Sequence, residues 1–429
     1  MLTLLIVTLL ALFALNMPVA FALAGASLVF MLCSGGGMSL EVLPQKMASG
    51  ADSFPLLAVP FFVLAGALMN TGGITHRLVR FANVLVGHIR GGLAHVVVVT
   101  NMIMAGISGS ALADAVGTGA ILIPAMQRSG YSTPFAAAIT GAAGTIGPII
   151  PPSIPFVIVG SITGVSIGRL FLGGAVPGIL MGLYLMVFAY CIARRRNYPR
   201  GERTTAREVV RALWDASLAI IMPVIILGGI LAGVCTPTEA AVVASVYALV
   251  VGAFVYRELR WADLPKILVE TVLASASLLL IISAASPFAV ILTWQGAAKL
   301  LTDTLLSVTR NPLMILMGIN LVLLILGCFM EGLSLIIILV PIMLPLVQAL
   351  GVDPVHFCVM FVLNTTIGTL TPPFGVIMFA MVALAKTTIG AFSREGWPFI
   401  AALILALLTI TIFPPFVTWL PNLLMGVAR

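Results

Sequence analysis

Residues 106–152 read GISGSALADAVGTGAILIPAMQRSGYSTPFAAAITGAAGTIGPIIPP, and residues 327–373 read GCFMEGLSLIIILVPIMLPLVQALGVDPVHFCVMFVLNTTIGTLTPP. At an offset of 221 residues, Gly106 registers with Gly327, Pro124 with Pro345, Gly130 with Gly351, Gly147 with Gly368, and Pro151-Pro152 with Pro372-Pro373. Glycine and proline are the strongest breakers of local structure. Breakers held in register over so long a stretch mark an internal repeat. The repeat extends upstream, where Pro18 in NMPVAFALAGASLVF matches Pro237 in CTPTEAAVVASVYAL. The chain divides into a first repeat, 1–193, a basic linker, 194–211, and a second repeat, 212–425.

Composition sets the environment of that repeat. Of 429 residues, 61% are hydrophobic and 8% are charged, with a mean hydropathy of +1.20. Soluble domains carry about 25% charged residues, so a soluble globular enzyme is excluded. Disorder is excluded as well, because it needs high charge and low hydrophobicity. A helix of about 20 apolar residues crosses a bilayer, which bounds the chain at about 13 crossings. The sequence is that of an all-α polytopic membrane protein. Its five cysteines are widely separated, with no CxxC, and read as small apolar packing residues. Residues 1–22 lack a basic n-region and run on into further apolar sequence, so they read as a retained span and not a signal peptide.

Both repeats parse in one order. The first has scaffold spans within 2–72 and an amphipathic arm at 75–92. A hairpin at 93–128, a broken span at 132–166 and a last span at 173–193 follow. The stretch 2–15 is short for a crossing and either spans alone or forms one kinked helix with 18–32. The second repeat has scaffold spans within 214–293 and an arm at 296–309. It continues with a hairpin at 311–348, a broken span at 355–386 and a last span at 397–420. Each hairpin segment is too long for one span and is interrupted by polar or small residues, GISGSALAD in one and GCFMEGLS in the other. Both read as re-entrant helical hairpins with tips near mid-membrane. The broken spans are interrupted at 144–153 (GTIGPIIPPS) and 364–373 (NTTIGTLTPP).

Charge orients this parse. Arg194, Arg195, Arg196, Arg200, Arg203, Arg207 and Arg211 crowd into one linker between apolar stretches, which reads as a cytoplasmic loop and not as a nucleic-acid patch. With that loop inside and five crossings per repeat, 16 of the 21 basic residues fall inside and both termini lie outside. An odd number of crossings makes the repeats inverted. Inverted repeats with discontinuous helices are the build of secondary transporters, whose site lies at the repeat interface.

A broken helix in lipid leaves backbone groups that protein, water or ligand must satisfy. The breaks supply hydroxyls at Ser108, Ser110, Thr145 and Ser153 in one repeat and Thr365, Thr366, Thr369 and Thr371 in the other. Hydroxyl and carbonyl oxygens suit a hard cation such as Na⁺, and helix N-termini suit an anionic group. Asp114 and Glu331 sit near the two tips, where an acid is ion-linked or holds the tip structurally. Glu239 in TPTEA reads as a helix cap. No Walker A, G-x-S-x-G or H-E-x-x-H motif appears, so the chain reads as a non-enzyme driven by an ion gradient. A stand-alone Na⁺- or H⁺-coupled anion symporter or antiporter, or a passive channel, fits the same features.

The stretches GISGSALADAVGTGAILIPAM, GTIGPIIPPSIPF, TPTEAAVVASVYA and GTLTPPFGVIMF resemble the large membrane subunit of tripartite ATP-independent periplasmic (TRAP) transporters, the DctM type. The resemblance spans nearly the whole chain. It implies an elevator-type, Na⁺-driven importer of organic acids (dicarboxylate, keto acid or sialic acid class) in the bacterial inner membrane. It also implies two partners, a small four-helix membrane subunit of the DctQ type and a periplasmic substrate-binding protein, with the small subunit expected on a separate chain. One Na⁺ site is implied at Ser108, Gly109, Ser110, Thr145 and Gly147, and a second at Glu331, Gly332, Ser334, Gly368, Thr369 and Thr371. Substrate is implied between the tips, at Ser110, Pro148, Pro152, Ser153, Asn364, Thr371 and Pro373. No organic cofactor and no other metal are expected.

Overall fold

Backbone polar groups in lipid must find partners within their own segment or in packed protein, and this sequence answers with helices almost throughout. A computed structural model describes all residues except 16, 35–37, 202–203, 298, 301–302, 304–306, 308 and 427–429. Among the described residues the one β-type pairing is an isolated bridge between Arg90 and Arg200. Seven of the described helical stretches are long and apolar enough to cross a membrane, from Phe54–Thr71 to Ile389–Ile412.

The first half contains α1 (Leu2–Ala14), α2 (Val19–Cys33), α3 (Val42–Ala51), α4 (Ala58–Thr71) and the amphipathic α5 (Ile74–Val86). The hairpin helices α6 (Gly92–Ser108) and α7 (Ala111–Arg128) follow, then the paired half-helices α8 (Thr133–Gly144) and α9 (Ile154–Thr163), and then α10 (Ile167–Arg195). The second half runs α11 (Ala206–Leu231), α12 (Pro237–Val250) and α13 (Leu264–Trp294). Its hairpin is α14 (Pro312–Gly327) and α15 (Gly332–Ala349), its broken helix is α16 (Pro354–Gly368) with α17 (Val376–Ala385), and α18 (Ile389–Ile412) and α19 (Pro415–Met425) close the chain. Half of the expected arm at 296–309 lies outside the described residues. Each half thus holds a helical hairpin followed by a broken helix. Both proline pairs of the repeat, Pro151-Pro152 and Pro372-Pro373, are cis.

Two stretches differ from the sequence reading. The second break opens at Thr369, not at residue 364, because Thr365 and Thr366 donate back to the carbonyls of Val362 and Leu363 at 2.9 and 2.8 Å and stay helical. The span expected at 397–420 is divided, since Phe413 before Pro414 is extended and α18 ends at Ile412.

The last helices of the two halves run antiparallel, as inversion requires. Arg196, just past the end of α10, pairs with Glu395 near the start of α18 at 2.9 Å, while Tyr184 meets Thr409 at 3.0 Å. Contacts also gather the basic residues at one end of the molecule. Arg77 pairs with Glu258 at 2.7 Å and Arg80 with Asp215 at 3.3 Å. The linker lies along the arm there, through Gly201 N–H to Gly87 O and the Thr204 hydroxyl to Val84 O. The opposite end joins Ser53 to Ser161, and Arg169 to Asn422 and the Gly426 carbonyl.

Burial separates core from periphery. Every residue from Phe135 to Gly144 in α8 and from Val355 to Gly368 in α16 is buried, so the broken helices form the centre. Alanine and glycine in α8 permit that close approach. By contrast, α11 exposes Trp214, Val224 and Val210, as a lipid- or subunit-facing helix does. At the start of α12, Thr236 and Glu239 form the expected capping box, with Thr236 N–H donating to Glu239 Oε2 at 2.7 Å. Thr236→Ala is expected to lower stability by about 1 kcal/mol, read as a lower unfolding midpoint in detergent.

Candidate functional site

Each hairpin tip is pressed against the break in the helix that follows it. In the first half, α6 ends at Ser108 and the chain turns at Gly109 with φ +61°, a left-handed conformation that favours glycine. A Cβ at Gly109 would stand 2.7 Å from the Pro152 carbonyl oxygen, so the tip lies directly on the break. Ser110 caps α7 by accepting from Ala113 N–H, and Ser153 caps α9 by accepting from Phe156 N–H. The Ser153 hydroxyl also donates to the Pro148 carbonyl at 2.5 Å and ties the loop across itself. The Thr145 hydroxyl donates to Ala142 O, leaving its oxygen lone pairs free to accept.

Asp114 is fully buried one turn into α7. Its Oδ1 accepts from the Ser108 hydroxyl at 2.5 Å, while its Oδ2 has no hydrogen-bond partner among the described residues. A Cβ at Gly147 would lie 2.6 Å from that Oδ2 and 3.1 Å from the Ser110 carbonyl. The unpartnered oxygen therefore faces the break, in the company of Ser110 and Gly147.

The second half repeats the arrangement with different residues. Gly327 and Gly368 meet backbone to backbone, a Cβ on either coming within 3.0 Å of the other's Cα. Phe374 N–H donates to Cys328 O at 3.1 Å, which joins tip to break. Glu331 occupies the N-cap position of α15 and accepts from the Ser334 hydroxyl at 3.2 Å. Gly332 packs on Thr365. Thr369 and Thr371 donate to Thr366 O and Ile367 O.

Between the two tips lies a cavity of about 740 Å³. Four helix N-termini border it, at Ala111 of α7, Ile154 of α9, Gly332 of α15 and Val376 of α17. Among the described residues, no lysine, arginine or histidine lines it. Each helix N-terminus carries roughly half a positive charge on its unsatisfied N–H groups, so the helix ends supply the positive potential here. Asn70 and Thr71 at the end of α4, and Glu270 near the start of α13, also line the cavity; these parts belong to the end of the molecule where the basic residues gather.

Of the residues named from sequence, Ser108, Gly109, Ser110, Pro148, Glu331, Gly332 and Thr369 line this cavity. Thr145, Gly147, Ser334 and Gly368 are buried in the packed layer behind the tips, as are Pro152 and Ser153, whereas Thr371 is half-buried and Pro373 is exposed, both outside the lining. Asn364 is further off. It is buried within α16, where its amide N–H₂ donates to the backbone and side-chain oxygens of Asn320 at 2.9 Å. Thr365 and Thr366 line the cavity from within a helix, and Asn70, Glu270 and Thr271 come from α4 and α13, which the sequence reading did not connect to the site. An acid inside the long apolar stretch 264–294 was the available signal for Glu270.

This arrangement has known relatives. The model of the tripartite ATP-independent periplasmic transporter DctM component matches residues 6–416, and the chain belongs to that family. It is 42% identical over 411 residues to the sialic acid TRAP transporter large permease protein SiaM of Vibrio cholerae, covering 96% of each chain. It is 41% identical to the C4-dicarboxylate TRAP transporter large permease protein DctM of Pseudomonas aeruginosa, covering 94% of each. It is also 41% identical to the isethionate TRAP transporter permease protein DctMQ of Oleidesulfovibrio alaskensis, covering 93% of this chain and 63% of that one. Among solved structures, the YdaH transporter of Alcanivorax borkumensis shares the fold, with a TM-score of 0.61 at 15% identity over 87% of each chain. The chain is thus a multi-pass membrane permease subunit of the TRAP family.

Proposed function

We propose that this subunit imports an organic acid anion across the bacterial inner membrane, driven by Na⁺ and supplied by a periplasmic binding protein. The observation that carries the reading is the convergence of four helix N-termini on one cavity that, among the described residues, no cationic side chain lines. Such a cavity suits an anion whose remaining charge is balanced by bound cations. Sialic acid, isethionate and C4-dicarboxylates, named for its relatives, are all anionic. A small membrane subunit completes the transporter in this reading.

In this reading the first Na⁺ lies where Ser108, Gly109, Ser110, Thr145 and Gly147 meet, with the free oxygen of Asp114 as its charged neighbour. A carboxylate sealed from water without a partner costs several kcal/mol, and a cation offsets that cost. The second Na⁺ lies among Glu331, Gly332, Ser334, Gly368, Thr369 and Thr371. Substrate sits in the cavity against Ser110 and Pro148 on one side and Thr365, Thr366 and Thr369 on the other. The hairpins and broken helices then move as one body against the scaffold, carrying ions and anion together in an elevator motion.

Thermal unfolding in Na⁺, K⁺ and choline at equal ionic strength tests the ion sites. A ligand at ten to a hundred times its Kd stabilises by about 1.4–2.7 kcal/mol. The midpoint is expected to rise in Na⁺ alone, and Ser110→Ala and Thr371→Ala are expected to shrink the rise, with Ser110→Ala also lowering the midpoint in all three salts by the loss of the α7 cap, about 1 kcal/mol. Equal curves in all three salts refute the Na⁺ sites.

A further inference from the structure

A hydrogen bond joins the scaffold to the first broken helix. The Ser53 and Ser161 hydroxyls stand 3.0 Å apart, one donating to the other, and both residues are half-buried. Ser53 is held by the scaffold. Its carbonyl accepts from Leu56 N–H at 3.0 Å at the turn into α4, and the adjacent Phe54 carbonyl accepts from the Thr238 hydroxyl of α12 at 3.0 Å. Just upstream, α3 is tied to α13: the Met47 carbonyl accepts from the Ser283 hydroxyl at 2.7 Å, and Gly50 packs directly on Ser286. Ser161 is held by the other body. It lies in the last turn of α9, which Ser153 caps at the break, and its neighbour Gly160 packs directly on Ile167 of α10.

The bond is not one that the helix needs for itself. A hydroxyl within a helix commonly donates to the carbonyl one turn back, as Thr163 of α9 does to Val159 O at 2.6 Å. Ser161 pairs with Ser53 instead. Other approaches across the same boundary are packing contacts, Gly66 of α4 on Ser108 at the first tip and Gly106 of α6 on Pro223 of α11. A hydrogen bond between two bodies that slide past one another is made in one conformation and lost in the other. One such bond contributes about a fivefold bias toward the conformation that holds it.

We propose that the Ser53–Ser161 pair is a latch between scaffold and moving body, closed in this conformation and opened in every transport cycle. The proposal rests on the elevator reading above. Serine oxygens that meet put both Cβ atoms within reach of a disulfide. The five native cysteines are therefore replaced, and Ser53→Cys and Ser161→Cys are combined. The chain is reconstituted with the small subunit and the binding protein, and uptake is followed for whichever of sialic acid, succinate and isethionate the cysteine-free parent concentrates. Reduced, the double variant is expected to transport within about fivefold of that parent. Oxidised with copper phenanthroline, it is expected to lose uptake at least tenfold and to regain it in dithiothreitol, while either single variant keeps its rate under the same oxidant. Full uptake by the cross-linked protein overturns the proposal, because the pair then never parts, and so does a pair that forms no disulfide. If the double variant fails to insert, Ser53→Cys alone carries the test. Its labelling by N-ethylmaleimide is expected to be faster during turnover than in choline, and equal labelling overturns the latch. Failure of the transport reading shows separately, as absence of Na⁺-driven uptake by the cysteine-free parent.

Discussion

Asp114→Asn is expected to abolish the Na⁺-specific rise in thermal stability without lowering stability in choline. The substitution keeps the shape of the side chain and an acceptor for the Ser108 hydroxyl. It removes the charge that faces Gly147 and Ser110. Breaking a buried ion pair costs about 3–5 kcal/mol, so the apparent Na⁺ Kd is expected to rise at least about 100-fold. The sign in choline separates the two roles open to this acid. A purely structural Asp114 loses stability in every salt when neutralised. An ion-binding Asp114 leaves an uncompensated buried charge when Na⁺ is absent, and the neutral amide is then as stable or more so. Unfolding midpoints of parent and variant across a Na⁺ titration decide between them.

The second large effect is expected at the other tip. Gly368→Ala sets a methyl within 2.6 Å of the Gly327 Cα and 2.8 Å of its carbonyl carbon and oxygen. Both partners are backbone, so no rotamer change relieves the overlap, and the hairpin must lift from the break. Overpacking of this kind costs about 1–3 kcal/mol, and transport is expected to fall further than stability because the proposed second ion site is built on that contact. Gly318→Ala is the matched control. It lies within α14 with nothing within 4 Å of its Cβ. There a methyl is expected to stabilise the helix by about 0.5–1 kcal/mol. Opposite shifts of the two midpoints are the expected result in detergent, and equal shifts count against the contact.

The hairpins and broken helices were legible because their punctuation is local. Gly106 and Gly327, or Pro151-Pro152 and Pro372-Pro373, stand out in any apolar sequence, and their common offset marks both halves at once. The exact opening of the second break was not legible. Asn364, Thr365 and Thr366 look like loop letters, yet the two threonines bond back to the preceding turn and Asn364 bonds sideways to Asn320, so the helix runs on. The division at Pro414 carried its own signal in the proline, which the hydropathy of the flanking residues outweighed. The scaffold's share of the cavity was out of reach for another reason. Asn70 and Glu270 border the tips only because α4 and α13 pack beside them, and that neighbourhood has no trace in local spacing. Asp114 could be singled out as an acid in an apolar stretch, but the free direction of its second oxygen is a property of the fold.

In the proposed cycle a Na⁺ gradient drives an organic anion through the cavity between the tips. Its most direct test is uptake into proteoliposomes holding this chain, the small subunit and the cognate binding protein, with an inward gradient of Na⁺, K⁺ or choline. Sialic acid, a C4-dicarboxylate and isethionate serve as trial substrates. Concentrative uptake of one of them is expected with Na⁺ alone. One net charge moved per cycle at 100 mV supports roughly 50-fold accumulation. Uptake that proceeds equally with K⁺, or that stops when inside and outside concentrations match, rules out Na⁺-driven transport and points to passive flux.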